Sequence, residues 1–288
     1  VNSIVAPLMI FKGVRADLFL STLPFALIVA FLYVTYYYVI SKGQLSITAT
    51  LLASFPIVTT MLSFLVLNER PTIIQLGAIA LVVTGATILT FSSQPNRYKN
   101  RVFLISGVIW GIFGAIMMGM ADFTSKLGIM QSDASTFTFL MSLSYIPAVL
   151  CLVFFRGREL PRLKMRSSGF LSSIIGVALI ELGLIPYNMA FEVGPASLVS
   201  TIGACQVLIM VILAVKFLKD KLRPFQYLGI FSTLTGILSL IFPLVFLSAP
   251  YPTLTTARYP LLFSRILLSL PFGFLHFCFF FLLNPSFP

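Results

Sequence analysis

The sequence predicts an all-α membrane protein, a 5+5 inverted-repeat helical bundle whose first one to two helices are missing. Composition is the first reason: of 288 residues, 58% are hydrophobic and 9% are charged, whereas a soluble domain carries about 25% charged residues. The second reason is a series of apolar runs, each close to the roughly 20 residues that cross a bilayer as a helix. The third reason is that the chain aligns with itself.

The basic residues lie in short clusters between the apolar runs, although the net charge is +11. A nucleic-acid-binding protein needs a continuous basic face, whereas Lys and Arg in loops are typical of membrane helices. We therefore expect a lipid bilayer as a partner and no nucleic acid. Cys151, Cys205 and Cys278 lack metal or redox spacing, and His276 is the only histidine, so we expect no metal site and no cofactor.

In the first half, each predicted helix is an apolar run that ends at polar or turn-forming residues. Residues 1–11 are expected to be the end of an earlier helix, and the charged stretch from Lys12 to Asp17 separates them from the next run. A turn at 41–44 divides the two runs that follow, and Pro71 closes the turn after them. These breaks predict helices at 18–41, 44–67 and 72–92.

The second half begins after the basic stretch 93–101. Its runs are separated by the polar segment 131–135, by the basic segment 156–168 and by the charged turn 219–224. Each run between these breaks is long enough to span a bilayer. The predicted helices are 102–125, 136–155, 169–192, 195–218 and 224–247.

Shifting the chain on itself by 151 residues aligns the two halves. Glu69 aligns with Asp220 and Gly85 with Gly236, so the acid and the glycine are sixteen residues apart in both halves. An acid and a glycine at the same spacing are harder to match by chance than apolar residues, and the alignment therefore predicts an internal repeat. Other aligned pairs are Tyr36 with Tyr187, Ser46 with Ser197, Thr50 with Thr201, and Gln75 with Gln226.

The same offset predicts the domain organisation. Moving the 102–125 helix back by 151 residues places its counterpart before Val1, and the counterpart of 136–155 ends within the first few residues. We therefore expect one helix and most of a second to be missing from the first repeat. The predicted domains are 1–92, the truncated first repeat; 93–101, a basic linker; 102–247, the second repeat; and 248–288, a Phe/Pro-rich tail that is either a further membrane segment or not native.

Motifs in both halves carry a family resemblance. They are Phe55-Pro56, Asn68-Glu69-Arg70-Pro71, Gln75 and Gly77 in the first half, and Trp110-Gly111 with Lys126, Gly194-Pro195-Ala196-Ser197, Lys219-Asp220-Lys221-Leu222, Gln226 and Gly229 in the second. Over about residues 1–245 the chain resembles the EamA-type fold of the drug/metabolite transporter superfamily. Asp220 replaces the usual Glu, and Val207 stands where Pro56 predicts a proline, so the second motif is looser than the first.

The resemblance implies two inverted repeats around a central cavity, with alternating access by rocking of the halves. It implies a membrane transporter of a small polar or amphipathic metabolite, in the plasma membrane or an organelle membrane, as a monomer or homodimer. The alternatives are a non-transporting multi-pass scaffold or receptor, and a membrane-embedded enzyme. We do not expect an enzyme, because the sequence shows no convergent cluster of His, Asp or Cys groups.

Polar residues inside the apolar runs are the candidate solute contacts. Glu181 lies midway along the 169–192 run, where a charge is costly and normally faces a cavity or a partner; it is a solute contact, a proton-coupling carboxyl or a structural hydrogen-bonding group. Asn188 follows it by two helical turns, on nearly the same face. Tyr187 and its repeat-related partner Tyr36 are expected to face one cavity, although packing or an interfacial position also explains tyrosines.

The remaining candidates have structural alternatives as well. Gln206 is expected to bond the solute or another helix. Asp122 and Lys126, four residues apart, are expected to form an intrahelical pair that is either a gate or a solvated helix end. Glu69 and Asp220 are each expected to cap the helix that follows them in the chain. The small residues Gly107, Gly111, Ala115 and Gly119 are expected to serve packing within the fold rather than a dimer interface.

Overall fold

The computed structural model describes residues 13–42, 52, 54–92, 101–156, 182–204 and 224–246. These residues are almost entirely helical and include no strand, which confirms the predicted all-α class. A short 3₁₀ helix, Ala16–Leu18, leads into the first long helix. The helices are α1, Phe19–Lys42; α2, Phe55–Leu67; α3, Ile73–Ser92; α4, Arg101–Gln131; α5, Ala134–Arg156; α6, residues 182–193; α7, Ala196–Gly203; and α8, Pro224–Phe246.

Several of the helices have the length and the apolar surface of membrane segments. Large apolar side chains point outward: Ile73 is 88% exposed, Leu20 86% and Phe154 83%. Soluble proteins rarely expose so much apolar surface to water, whereas lipid hydrocarbon solvates such a surface. The chain is therefore an integral membrane protein. Three stretches of the described residues are long and apolar enough to cross a bilayer: Ala16–Val39, Val108–Gln131 and Ala134–Cys151.

The chain forms two compact units, and each unit takes segments from both predicted repeats. Among the described residues, unit 1 contains 13–34, 124–156 and 182–192, and unit 2 contains the remainder. The chain passes from one unit to the other within α1, within α4 and at the end of α6. The compact units therefore differ from the sequence repeats.

A turn breaks the predicted helix at 44–67, so the expectation of one uninterrupted helix there is wrong. The helix predicted at 195–218 ends at Gly203 within the described residues, and positions 205–218 lie outside them. Ser54 forms a turn that precedes α2, and Pro56 lies in the first turn of that helix, where its missing N–H costs nothing. Helix α7 ends after eight residues, with Ala204 as its C-cap. Ser54 and Ala204 lie within one residue of repeat-equivalent positions under the 151-residue offset.

Helix α4 is longer than predicted and ends at Gln131 rather than at residue 125. The chain turns at Ser132, and Asp133 then begins α5: its Oδ1 accepts the Thr136 N–H and its Oδ2 accepts the Thr136 hydroxyl, both at 2.8 Å. An aspartate that accepts the third backbone N–H of a helix is a strong start signal. The break in the helix therefore lies at Ser132 and Asp133, and Lys126 is inside the helix.

The turn after α2 is closed by backbone geometry. Asn68 adopts the left-handed conformation, with φ of 53°, and both Asn68 and Glu69 donate their backbone N–H groups to the Ser63 carbonyl. Helix α3 then begins with a reciprocal cap, since the Thr72 N–H donates to Gln75 Oε1 and the Gln75 N–H donates to Thr72 Oγ1. Thr72 and Gln75 do the capping that was expected of Glu69, and that expectation is wrong.

Helices α3 and α8 of unit 2 pack together through repeat-related residues. A Cβ on Gly85 would meet Thr233 and, at 2.7 Å, the Gly229 carbonyl, while a Cβ on Gly236 would meet Val82 and, at 2.9 Å, the Ala78 carbonyl. Each of these contacts is converted into the other by the 151-residue offset. The pairing of low numbers on α3 with high numbers on α8 shows that the two helices run antiparallel.

Other contacts fit the same reciprocal packing. The Ser232 hydroxyl of α8 donates to the Leu81 carbonyl of α3 at 2.8 Å, and these two residues are themselves 151 positions apart. Inverted repeats require their equivalent helices to run in opposite directions, and α3 and α8 meet this requirement. The inversion of the complete halves remains a prediction.

Small residues on α4 allow helices of unit 2 to approach closely. A Cβ on Gly119 would lie 2.6 Å from the Val58 Cβ and 2.8 Å from the Phe55 carbonyl oxygen of α2. The Thr59 hydroxyl of α2 donates to the Gly119 carbonyl at 3.2 Å. Gly119 therefore serves packing within the fold, as expected for small residues in membrane helices.

Candidate functional site

Two of the predicted solute contacts, Tyr187 and Asn188, lie buried in unit 1. Both belong to α6, and their neighbours come from α5 and from the C-terminal part of α4. We call Thr138, Tyr187, Asn188 and Phe191 the amide cluster. Asn188 is only 2% exposed and Phe191 is fully buried, so the cluster lies among side chains and away from the outer face of the unit.

A hydrogen bond between α5 and α6 holds the centre of the amide cluster. Asn188 donates from Nδ2 to Thr138 Oγ1 at 2.9 Å, and Thr138 donates its hydroxyl to the Ala134 carbonyl at 2.6 Å. Thr138 thus fixes one amide proton of Asn188. Asparagine has two donors and one acceptor with two lone pairs, so its hydrogen-bonding capacity exceeds this one contact.

Thr138 is a residue that sequence reasoning missed. It lies on α5 four residues before Ser142, whose hydroxyl donates to the Thr138 carbonyl at 2.8 Å, and both side chains are 1% exposed. Polar residues that recur every four positions share one face of a helix. That spacing was the available signal, but a threonine within an apolar run is too common to stand out without its partner.

The end of α6 is held by Lys126 of α4. The Lys126 ammonium donates to the Phe191 carbonyl at 2.6 Å, and Phe191 is in the last turn of α6. A cation at this position meets the negative end of the helix dipole. The Tyr187 ring packs edge-on against the Phe191 ring, with centroids 5.0 Å apart. Lys126 and Tyr187 therefore both contact Phe191, one through its carbonyl and the other through its ring.

Asp122 is fully buried, so the interpretation of Asp122 and Lys126 as a solvated helix end is wrong. The physical reason is the length of α4, which continues for more than a turn beyond both residues. Their proposed intrahelical pair remains a prediction.

Tyr36 lies in the part of α1 that belongs to unit 2, whereas Tyr187 belongs to unit 1. The Tyr36 ring packs edge-on against the ring of Tyr37, with centroids 5.3 Å apart. Its expected role as a solute contact remains a prediction. Glu181 and Gln206, the other two candidates, lie outside the described residues.

A second polar site lies in unit 2, where Glu69 caps α7. Its Oε1 accepts the Ala196 N–H at 2.9 Å, and its Oε2 accepts the Ser197 N–H at 3.3 Å and the Ser197 hydroxyl at 3.0 Å. The local N-cap residue of α7 is Pro195, which makes no side-chain cap. A carboxylate from a distant part of the chain therefore satisfies donors that the first turn of a helix leaves unpaired.

Beside this cap, α7 packs mainly against α2 and makes a smaller contact with α3. Gln75 and Ile79 of α3 face Ser197, Leu198 and Thr201 of α7 across a crevice that has no room for a water molecule. We call this contact the α3–α7 seam. The Glu69 cap lies at one end of it, because Ser197 belongs to both.

A sequence model of one protein family matches most of the chain. The description of the family is "EamA-like transporter family", and the matched segments are residues 3–91 and 105–242. The chain belongs to the EamA-like transporter family. The two matched segments lie on either side of the predicted basic linker. The residues that form the reciprocal contact between α3 and α8 fall within these segments.

The chain is 26% identical over 205 residues to an uncharacterized transporter of Synechocystis sp.. The similar region covers 69% of this chain and 60% of the Synechocystis protein. The chain thus spans less than two thirds of the length of that relative.

Proposed function

We propose that the protein is a secondary transporter of a small polar or amphipathic metabolite, working by alternating access, and that the amide cluster contacts the solute. The observation that carries this proposal is the hydrogen bond between Asn188 and Thr138. It places an amide and a hydroxyl between two apolar helices, where unmet hydrogen-bonding groups are expensive. A polar solute that passes through unit 1 would exchange hydrogen bonds with them.

The chemistry of the amide cluster suits binding rather than bond making. An amide and two hydroxyl groups offer neutral donors and acceptors, and Phe191 and Tyr187 add apolar ring surface. Such a mixture recognises a solute that has both polar and apolar faces. Weak, exchangeable contacts of this kind are what a carrier needs, since the solute has to leave again.

The α3–α8 contact supports the alternating-access part of the proposal. Repeat-equivalent helices that run antiparallel and pack reciprocally are a feature of inverted-repeat carriers, in which the two halves exchange conformations. Family membership supports the same conclusion. Proton coupling through Glu181 is part of the proposal and derives from the sequence alone.

The test is solute uptake by the full-length protein in lipid vesicles. Labelled nucleosides, amino acids and sugar phosphates would be supplied as three separate panels of solutes, with and without a proton gradient. We expect uptake of at least one class, and we expect Asn188→Ala to reduce it by about tenfold, the effect of losing one or two buried hydrogen bonds. Failure of every panel in vesicles that contain folded protein would contradict the transport proposal.

Matched variants make the experiment specific. Ser144→Ala removes another buried hydroxyl of α5, one that donates to the Leu140 carbonyl of its own helix at 2.8 Å, and should transport like the parent protein. Equal loss in Asn188→Ala and Ser144→Ala would remove the amide cluster from the solute path. For Glu181→Gln we expect uptake that no longer responds to the gradient; an unchanged response would remove Glu181 from the coupling.

A further inference from the structure

We propose that Glu69 is a latch that keeps the α3–α7 seam closed, and that the latch has to open during the transport cycle. This inference rests on the transport function proposed above. It concerns a contact inside unit 2 that joins the two predicted repeats, since Glu69 and α3 belong to the first and α7 belongs to the second.

The first reason is the number of hydrogen bonds on one carboxylate. Glu69 accepts two backbone N–H groups and one hydroxyl from Ala196 and Ser197. Helix α7 has no side-chain cap of its own, because its N-cap residue is Pro195. Its first turn therefore depends on a residue that lies 127 positions away in the chain.

The second reason is the rigidity of the segment that carries Glu69. The left-handed Asn68 ends α2, and the Ser63 carbonyl accepts the N–H groups of both Asn68 and Glu69. Thr72 and Gln75 close the start of α3 on the other side of the turn. The carboxylate is thus held at a fixed place, and release of α7 requires these hydrogen bonds to break rather than the turn to bend.

The third reason is the position of the contact relative to water. Glu69 is only partly buried, whereas Thr201 of the adjoining seam is fully buried. A partly exposed carboxylate can exchange its protein donors for water at modest cost, so the contact is reversible. The seam behind it has no room for water while the latch is closed.

Together these contacts describe a reversible closure. The carboxylate binds the positive end of α7, and the apolar residues Ile79 and Leu198 seal the surface beside it. If the halves move during alternating access, α7 can separate from α3 only after Ala196 and Ser197 leave Glu69. Glu69 is therefore a positioning residue for the closed conformation and not a solute contact.

The test measures whether the seam opens when the latch is removed. Thr201→Cys places a thiol in the seam of the full-length protein, after Cys151, Cys205 and Cys278 have been replaced by Ala. A charged methanethiosulfonate reagent, applied to both sides of the membrane, should label it slowly. Glu69→Ala should raise the labelling rate about tenfold, the shift expected for loss of a helix N-cap. Glu69→Gln should raise it less, because its amide oxygen still accepts a hydrogen bond.

Two controls separate a latch from general loosening. Asp17→Asn removes an exposed carboxylate that pairs with Arg15 at 3.3 Å, and it should leave the labelling rate unchanged. Ala26→Cys reports on a fully buried position of unit 1, and its slow labelling should not respond to Glu69→Ala. If Glu69→Ala leaves Thr201→Cys as slow as before, or accelerates both thiols equally, the latch proposal is wrong.

A partner variant covers the case in which Glu69→Ala does not fold. Ser197→Ala removes the hydroxyl but keeps both backbone N–H groups, so it should accelerate labelling less than Glu69→Ala. If neither Ser197→Ala nor Glu69→Gln accelerates labelling, the proposal is overturned. Labelling needs no transported solute. A labelling response without uptake of any solute would therefore contradict the transport function, whereas uptake without a labelling response would contradict only the latch.

Discussion

Asn188 and Thr138 show how single residues keep polar atoms inside an apolar helix pair. The amide N–H of Asn188 has a hydroxyl partner, and that hydroxyl in turn donates to its own helix at Ala134. Both hydrogen bonds therefore depend on the Thr138 hydroxyl. Interhelical hydrogen bonds in membranes contribute about 0.6 kcal/mol on average and up to about 2 kcal/mol, so the pair is stabilising but not indispensable for folding.

Removing the Thr138 hydroxyl should lower stability. Thr138→Val keeps the side-chain shape but leaves the Asn188 N–H without this acceptor, and we expect a loss of about 1 kcal/mol, measured as a lower melting temperature of the purified protein. Thr138→Ser restores the hydroxyl and should recover most of the loss. A Thr138→Val protein that melts no lower than Thr138→Ser would show that the bond contributes nothing.

The charged residues show what a sequence can and cannot reveal at this scale. Glu69 was expected to cap a helix, and it does, but the helix is α7 rather than α3. Spacing along the chain identifies local partners such as Thr72 and Gln75. It cannot identify a partner 127 residues away, because that contact depends on how helices pack and not on helical periodicity.

At the scale of elements, apolar runs located the helices well and the turns less well. Helices α1, α3, α5 and α8 begin and end within two residues of their predicted bounds, because their ends coincide with polar or proline-containing segments. The turns at Ser54 and Ala204 were missed, since both lie inside continuous apolar runs. Hydrophobicity reports the length of chain that lipid surrounds and is insensitive to a break within it.

Helix α3 offers a matched pair of glycines. Gly85 lies against Gly229 and Thr233 of α8, whereas a Cβ on Gly77 meets nothing within 4 Å. We expect Gly85→Ala to destabilise the protein by about 1–3 kcal/mol, the usual cost of overpacking. Gly77→Ala should be neutral or slightly stabilising, because alanine favours the helix.

Melting temperatures of both variants in one detergent check this expectation. The comparison is internal, since the two substitutions add the same methyl group to the same helix. A fall in both variants, or in neither, would show that the close approach of α3 and α8 does not limit stability.

At the scale of the whole molecule, the relation between repeat and structure can be measured. Gly236 faces Val82 and Ala78 in the same way that Gly85 faces Thr233 and Gly229. We therefore expect Gly236→Ala to lower the melting temperature by an amount comparable to that of Gly85→Ala, because the same kind of backbone contact is crowded. A large effect at one glycine and none at the other would contradict the reciprocal packing.

The α3–α8 contact also has a consequence for the origin of the chain. A surface that meets its own shifted copy is self-complementary, like the interface of a twofold homodimer. If the two predicted repeats descend from one shorter polypeptide, that polypeptide would already have carried both sides of this contact on a single helix. Two such polypeptides, inserted in opposite directions, could associate through it without any new residue, and fusion of the duplicated gene would then fix a pairing that already existed.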